Sequence, residues 1–240
     1  MMKITTVGVT AVALSVALAG CTPTTEQNST ATGQSTPTVW TGSPAPAHGG
    51  SAHGGSANAG EARPENATLH QYILDNKIAE VPFKKDEPGT PTIDFPFPPG
   101  WRLAGDLTPD WAYGAIIYDK AVDPNDPPFI YAIASKLTGD IDPQTVLALA
   151  PVQLNELPEF TPVGGPPERN ALGGFDAIDY VGTYVSEGKT RAVGQETIVI
   201  PGKDALFVLQ LNGEAPEGQE QVVIDAVKLI REQTKITLPS

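Results

Sequence analysis

Residues 177–211 read AIDYVGTYV (Ala177–Val185), SEGK (Ser186–Lys189), TRAVGQETIVI (Thr190–Ile200), PGKD (Pro201–Asp204) and, after Ala205, LFVLQL (Leu206–Leu211). The three longer stretches are rich in Val, Ile, Tyr and Thr, and each connection between them is short and contains a glycine. Parallel neighbours need a crossover of roughly a dozen residues or more, so these stretches predict an antiparallel meander. Beyond it, Val222, Val223, Ala226, Val227 and Ile230 mark one apolar face of a closing helix. Upstream, Asp142 reads as an N-cap with Pro143 at the first helical position, opening a helix through Val146, Leu147 and Ala150. Pro151 should kink or restart that helix before Leu154 and Leu157. Ala112–Asp119 and Phe129–Lys136 predict two strands joined by Asp123-Pro124-Asn125-Asp126-Pro127-Pro128. Thr92–Phe95 is a brief strand before the turn Pro96-Phe97-Pro98-Pro99-Gly100-Trp101. Leu69, Tyr72 and Ile73, with Ile78 beyond, suggest a short opening helix capped by Thr68. Runs of strands with helices at both ends and in the middle predict an α+β fold, an antiparallel β-sheet flanked by helices in an αβα sandwich. Residues 66–240 form one domain by length, large enough for a sizeable core.

The chain begins differently. Lys3 supplies a positive n-region, Val7–Ala17 an apolar h-region of about a dozen residues, and Ala19-Gly20 small residues for processing. The apolar stretch is shorter than the roughly 20 residues of a spanning helix. Leu18-Ala19-Gly20-Cys21 resembles the bacterial lipobox, which predicts a signal peptide over 1–20 and acylation of Cys21 as the first mature residue. Several acyl chains, at about 0.8 kcal/mol per buried CH₂, would hold the chain on the membrane lastingly. The competing reading is a soluble secreted protein with a free cysteine beside its cleavage point. Cys21 is the sole cysteine, so no thiol is left for a disulfide, a thiolate metal site or a nucleophile. From there to residue 65 the chain is Thr, Ser, Pro, Gly and Ala, too poor in large apolar side chains to offset its ordering entropy. It reads as a disordered tether with a mean span of roughly 35 to 40 Å. His48-Gly49-Gly50-Ser51-Ala52 repeats as His53-Gly54-Gly55-Ser56-Ala57, which reads as a linker duplication. Thr36-Pro37 and Ser43-Pro44 fit O-glycosylated stalks.

A formal net charge of −13 argues against nucleic acid or anionic phospholipid as main partner. Catalysis has little to build on. His48 and His53 lie in the tether, which leaves a Ser-His-Asp triad only His70, and no Gly-x-Ser-x-Gly elbow is present. Asp123, Asp126, Asp140 and Asp142 could supply an acid/base pair or hard-metal oxygens, but their Pro-rich neighbours fit turn and cap duty better. No catalytic residue, metal site or cofactor is assigned. Binding chemistry is the stronger candidate: Trp101, Trp111, Tyr113, Tyr118, Phe129 and Tyr131 crowd one part of the domain. Aromatic rings stack on sugar faces while carboxylates and amides accept from hydroxyls, which makes Trp101, Trp111, Tyr113, Tyr131, Asp123, Asn125 and Asp126 the candidate ligand residues. The alternative for each ring is core packing.

Tyr72-Ile73 followed by Asp75-Asn76, Gly89-Thr90-Pro91-Thr92-Ile93-Asp94, Trp101-Arg102-Leu103, Asp123-Pro124-Asn125-Asp126-Pro127-Pro128, Ser135-Lys136-Leu137-Thr138-Gly139-Asp140 and Val208-Leu209-Gln210-Leu211-Asn212, behind the lipobox and tether, resemble the LpqN/LpqT lipoproteins of mycobacteria and their relatives. The resemblance implies a Mog1/PsbP-like fold, an envelope rich in trehalose esters and mycolic acids, and an accessory role without catalysis. The expectation is a lipoprotein on the outer face of the cell membrane, anchored through acylated Cys21, that binds an envelope glycolipid or hands it on. The rival is a module that docks on mycolate export or mycolyl-transfer proteins without a ligand of its own; a carboxylate-dependent hydrolase stands third. Cys21→Ala should abolish acylation and move the protein from membrane to soluble fractions. Unchanged mass and fractionation would overturn the lipoprotein reading.

Overall fold

The computed structural model describes residues 68–239. The expected signal peptide, Cys21 and the tether lie outside the described residues. The chain runs α1 (Leu69–Asp75), β1 (Ala79–Pro82), β2 (Thr92–Asp94), β3 (Trp101–Leu103), β4 (Gly114–Tyr118), β5 (Phe129–Thr138), α2 (Pro143–Leu149), β6 (Thr161–Pro162), β7 (Glu168–Leu172), β8 (Phe175–Ser186), β9 (Lys189–Pro201), β10 (Leu206–Pro216), α3 (Glu220–Gln233) and β11 (Lys235–Thr237). The expected caps are present. Thr68 Oγ1 accepts from the amide of Gln71 at 3.2 Å, and the Asp142 carboxylate accepts from those of Gln144 and Thr145, each at 3.1 Å. At Pro151, whose ring cannot continue an α-helix, the chain passes into a 3₁₀ stretch over Ala150–Glu156.

The meander is antiparallel throughout, with strand order β3-β4-β5-β10-β9-β8-β6, β1 on β5 and β7 on β8. Ser186 pairs with Lys189 across a two-residue turn in which Glu187 and Gly188 both have positive φ, 52° and 74°. This is the turn whose twist suits a tight hairpin, and Gly188 adopts it without a steric penalty. A separate two-stranded ribbon pairs β11 with β2.

Alternation along the strands divides the core between two faces. Ala132 and Ala134 of β5, Phe207, Leu209 and Leu211 of β10, and Ile198 and Ile200 of β9 point to one face, where Ala226 and Ile230 of α3 and Ile93 of β2 meet them. Leu137, Leu206, Val208, Val199 and Ile178 point to the other, against Ile73 of α1 and Val146 and Leu147 of α2. The α+β sandwich read from the sequence is the observed architecture. On the first face Arg231 of α3 reaches down to buried Glu196 at 2.9 Å and lies 3.6 Å from Asp179. Burial pushes the Glu196 carboxyl up, with Arg231 pulling the other way.

Several boundaries differ from the sequence reading. β10 runs on to Pro216, because Asn212 and Glu214 find side-chain partners on β9 and β8 and Gly213 sits beneath α3. Trp101 opens the edge strand β3 instead of ending a turn, and Ile78 follows the helix, leading into β1. The short strands β1, β6, β7 and β11 carry mostly exposed residues and have no apolar alternation to announce them. Gly173-Gly174 forms the β7–β8 turn, with φ of 59° and 87°. A side chain at Gly213 would place its Cβ 2.7 Å from Val223 Cγ1. Gly213→Val should therefore lower unfolding free energy by about 1–3 kcal/mol through overpacking. In a double-mutant cycle Val223→Ala should recover most of the loss, and simple additivity would refute the clash as its cause.

Candidate ligand-binding site

Helices α1 and α2 occupy one end of their face. Toward the other end, Tyr131 of β5, Asn212 of β10, Gln195 of β9 and Tyr180 of β8 stand directly opposite one another in a single cross-strand row. The row nearer the helices is Ile133, Gln210, Thr197 and Ile178, and the row beyond is Phe129, Glu214, Val193 and Gly182. The two central strands thus present amides and a carboxylate, while the flanking strands present rings and aliphatic chains.

Gln195 Nε2 donates to Asn212 Oδ1 at 3.0 Å, yet Gln195 Oε1 and Asn212 Nδ2 have no partner. These two residues are only 5% and 6% exposed. An unmade hydrogen bond in such a place costs about 1–3 kcal/mol. Exchanging the amide orientations of both side chains would still leave one donor and one acceptor open. Next to them Tyr184 Oη donates to Glu214 Oε2 at 3.0 Å, and Arg191 Nη1 donates to Asp126 Oδ1 at 2.7 Å with its Nε 3.7 Å from Glu214. Burial pushes the Glu214 carboxyl up, against the opposing pull of the Tyr184 hydroxyl and Arg191. The Tyr131 and Tyr184 phenols are driven upward by burial and by the nearby Glu214 carboxylate, so both stay protonated as neutral donors. For Arg191 burial alone would lower the guanidinium pKa, but the hydrogen bond and charge of Asp126, with Glu214, raise it.

Rings wall this floor on both sides. Trp111 meets Tyr131 edge to face with centroids 5.4 Å apart, and Phe129 lies 5.5 Å from Tyr131, all backed by Ala104, Ala115 and Ile117. Lys84 fixes the Trp111 loop by donating from its ammonium to the carbonyls of Asp110 and Ala112 on either side of the indole. Across the floor, Phe160 packs over Gly182, where a Cβ would sit 2.4 Å from the ring, and lies 5.3 Å from Tyr180. Toward α1 the floor continues into a cleft of about 50 Å³ lined by Leu69, Ile73, Ile133, Leu137, Val208 and Gln210 among others. Ile133 belongs both to this cleft and to the ring cluster.

The residues expected from sequence separate into three groups. Trp111 and Tyr131 come together, and Asp126 joins their face through Arg191. Trp101 and Tyr113 pack toward the α3 face instead: Trp101 is 5% exposed against Tyr118, and Tyr113 lies edge-on to Phe83 and Phe95. Asp123 and Asn125 stay exposed in their loop, where Asp123 Oδ1 accepts from the Asn125 amide at 2.9 Å. Gln195, Asn212, Glu214, Arg191 and Tyr180 were not anticipated. Their signal was available in Gln210, Asn212 and Glu214, polar at every second position of a strand otherwise too apolar to be exposed.

The fold and this floor define an αβα-sandwich domain with a polar, ring-walled site on one sheet face. A family model described as probable lipoprotein LpqN matches residues 65–237, and the chain belongs to that lipoprotein family. Lipoprotein LpqN of Mycobacterium tuberculosis (strain ATCC 25618 / H37Rv) is 48% identical over 172 residues, covering 72% of this chain and 75% of the relative. A crystal structure of LpqN, described as involved in cell envelope biogenesis of Mycobacterium tuberculosis, matches with a TM-score of 0.68 at 48% identity, covering 72% of this chain and 99% of that one. The Ran-binding protein Mog1p of Saccharomyces cerevisiae is a distant likeness, with a TM-score of 0.41, 13% identity and coverage of 65% of this chain and 94% of that one.

The buried carboxyl gives the site a pH signature. With its folded pKa raised, Glu214 contributes stability that is full below the unfolded glutamate value and is lost as pH rises through the folded value. Glu214→Gln should remove that loss, so the variant's stability relative to the parent should climb as pH rises above the unfolded glutamate value of about 4 in urea melts. A difference that stays flat with pH would contradict the assignment.

Proposed function

We propose that this chain is a cell-envelope lipoprotein, held to the outer face of the membrane through Cys21, that binds an envelope glycolipid of the trehalose-ester type or hands it to another protein. Its role is that of a non-enzymatic accessory to envelope biogenesis. One observation carries the reading: an unpaired amide donor and acceptor lie side by side on a floor walled by Trp111, Tyr131 and Phe129. Rings of this kind cover the apolar faces of a sugar while the amides take its hydroxyls. The cleft toward α1 gives an acyl chain an apolar direction in which to run. The relative's described involvement in cell envelope biogenesis agrees with that setting.

The non-enzymatic reading takes the carboxylates in structural roles. Asp142 caps α2, Asp123 closes a turn on Asn125 and Asp126 holds Arg191. Among the described residues no three of His, Cys, Asp and Glu lie together as a metal site. The docking-module alternative draws on two facts: a cleft of about 50 Å³ is far smaller than a glycolipid, and Leu103 and Leu107 stand 69% and 51% exposed.

Titration calorimetry of the full chain with a series of trehalose monoesters separates the two. Affinity should rise by about 0.8 kcal/mol per buried CH₂ until the groove is filled, with free trehalose far weaker. Trp111→Ala should weaken binding roughly tenfold or more with a cooperative melt retained, whereas Trp101→Ala should chiefly lower Tm, by a core truncation of about 3–5 kcal/mol. No binding at any chain length would favour the docking module.

A further inference from the structure

Arg191 is the cation beside Glu214 on the ring-walled floor, and its charge is already taken. Asp126 holds one edge of the guanidinium at 2.7 Å, and Glu214 lies 3.7 Å from Nε. Glu214 is in turn fixed by the Tyr184 hydroxyl at 3.0 Å, and Glu80 is the charged residue lining the neighbouring cleft. With every group ionised, Arg191, Asp126 and Glu214 sum to one negative charge; with Glu214 protonated, they sum to none. The Asp126–Arg191–Glu214 cluster therefore offers no spare positive charge, and the Lys84 ammonium beside the Trp111 wall is engaged by the carbonyls of Asp110 and Ala112. Two buried amide atoms of the row lack a partner, Gln195 Oε1 and Asn212 Nδ2, one acceptor and one donor. A hydroxyl satisfies both, donating to the first and accepting from the second. A sulfate or ionised phosphate oxygen only accepts, so it leaves the acceptor unmet and adds a charge beside two carboxylates.

Resting on the glycolipid reading above, we propose that the site is selective for uncharged, polyhydroxylic head groups, with a ligand hydroxyl bridging Gln195 and Asn212 and the Asp126–Arg191–Glu214 lock excluding anionic head groups. Arg191 would recognise an anion if it were released, and the two carboxylates prevent that. Specificity here is a repulsive device as much as an attractive one.

The test compares a medium-chain trehalose monoester with the same ester carrying one sulfate, each titrated into the full chain by calorimetry at low and moderate salt. The neutral ester should bind at least about tenfold more tightly, with the gap shrinking as salt rises. Glu214→Gln and Asp126→Asn each remove one carboxylate from Arg191, and each should narrow the gap by roughly threefold or more through tighter binding of the sulfated ester. Asp126 lies on a surface loop, so Asp126→Asn keeps the test available should Glu214→Gln melt early. Equal binding of the two esters by the parent chain, or an unchanged gap in both variants, would overturn the charge lock and leave glycolipid binding standing. Failure of both esters to bind would overturn the glycolipid reading and this selectivity with it.

Discussion

Strand β10 is hydrogen-bonded along its length to β5 on one side and β9 on the other, and every other element takes its position from that ladder. A strand paired on both edges cannot slip by one residue without turning its whole apolar set to the wrong face. Leu206 and Val208 are thereby committed to α1 and α2, and Phe207, Leu209 and Leu211 to α3. The same alternation carries Asn212 and Glu214 onto the face where Leu206 began. A single strand thus supplies core to both layers at one end and a polar floor at the other.

The polar groups follow from that commitment. Each face holds a buried glutamate met by one arginine: Glu196 by Arg231 beneath α3, and Glu214 by Arg191 on the opposite side. Taking such charges out of water costs several kcal/mol per ion, so neither pair is an economical way to stabilise a sheet. Arg231 fixes where the end of α3 rests on β9. Arg191 instead spans from the sheet to Asp126 in the β4–β5 loop, and so ties that Pro-rich loop to the rim of the floor. The floor's rings are held by similar local means: Lys84 grips the carbonyls on both sides of Trp111, and Gly182 makes room for Phe160.

Membership of the LpqN lipoprotein family rests on the folded domain, which accounts for the matched residues 65–237. The domain's fold needs nothing from Cys21. Its core is built without a disulfide, from the two apolar clusters on either side of the sheet.

The sequence by itself determined the three helices, the longer strands and their order, though not the short strands β1, β3, β6, β7 and β11. Capping residues, proline positions and runs of β-branched and aromatic side chains act over a few residues, so Thr68, Asp142, Pro151 and the three meander strands could be read directly. It also determined which residue types were concentrated around 101–131. Only the tertiary structure decided which of them share a site. Trp101 and Trp111 are ten positions apart in the chain but lie on opposite faces: pairing of β3 with β4 sets the direction of Trp101, while Lys84, from a distant part of the chain, holds the loop that carries Trp111. The strand read from sequence ends at Leu211, whereas β10 runs on to Pro216: Gln195, seventeen residues before Asn212, meets its side chain, and Gly213 lies against Val223 of α3. The floor is assembled from four strands spread between residues 129 and 214, and no local pattern contains that distance.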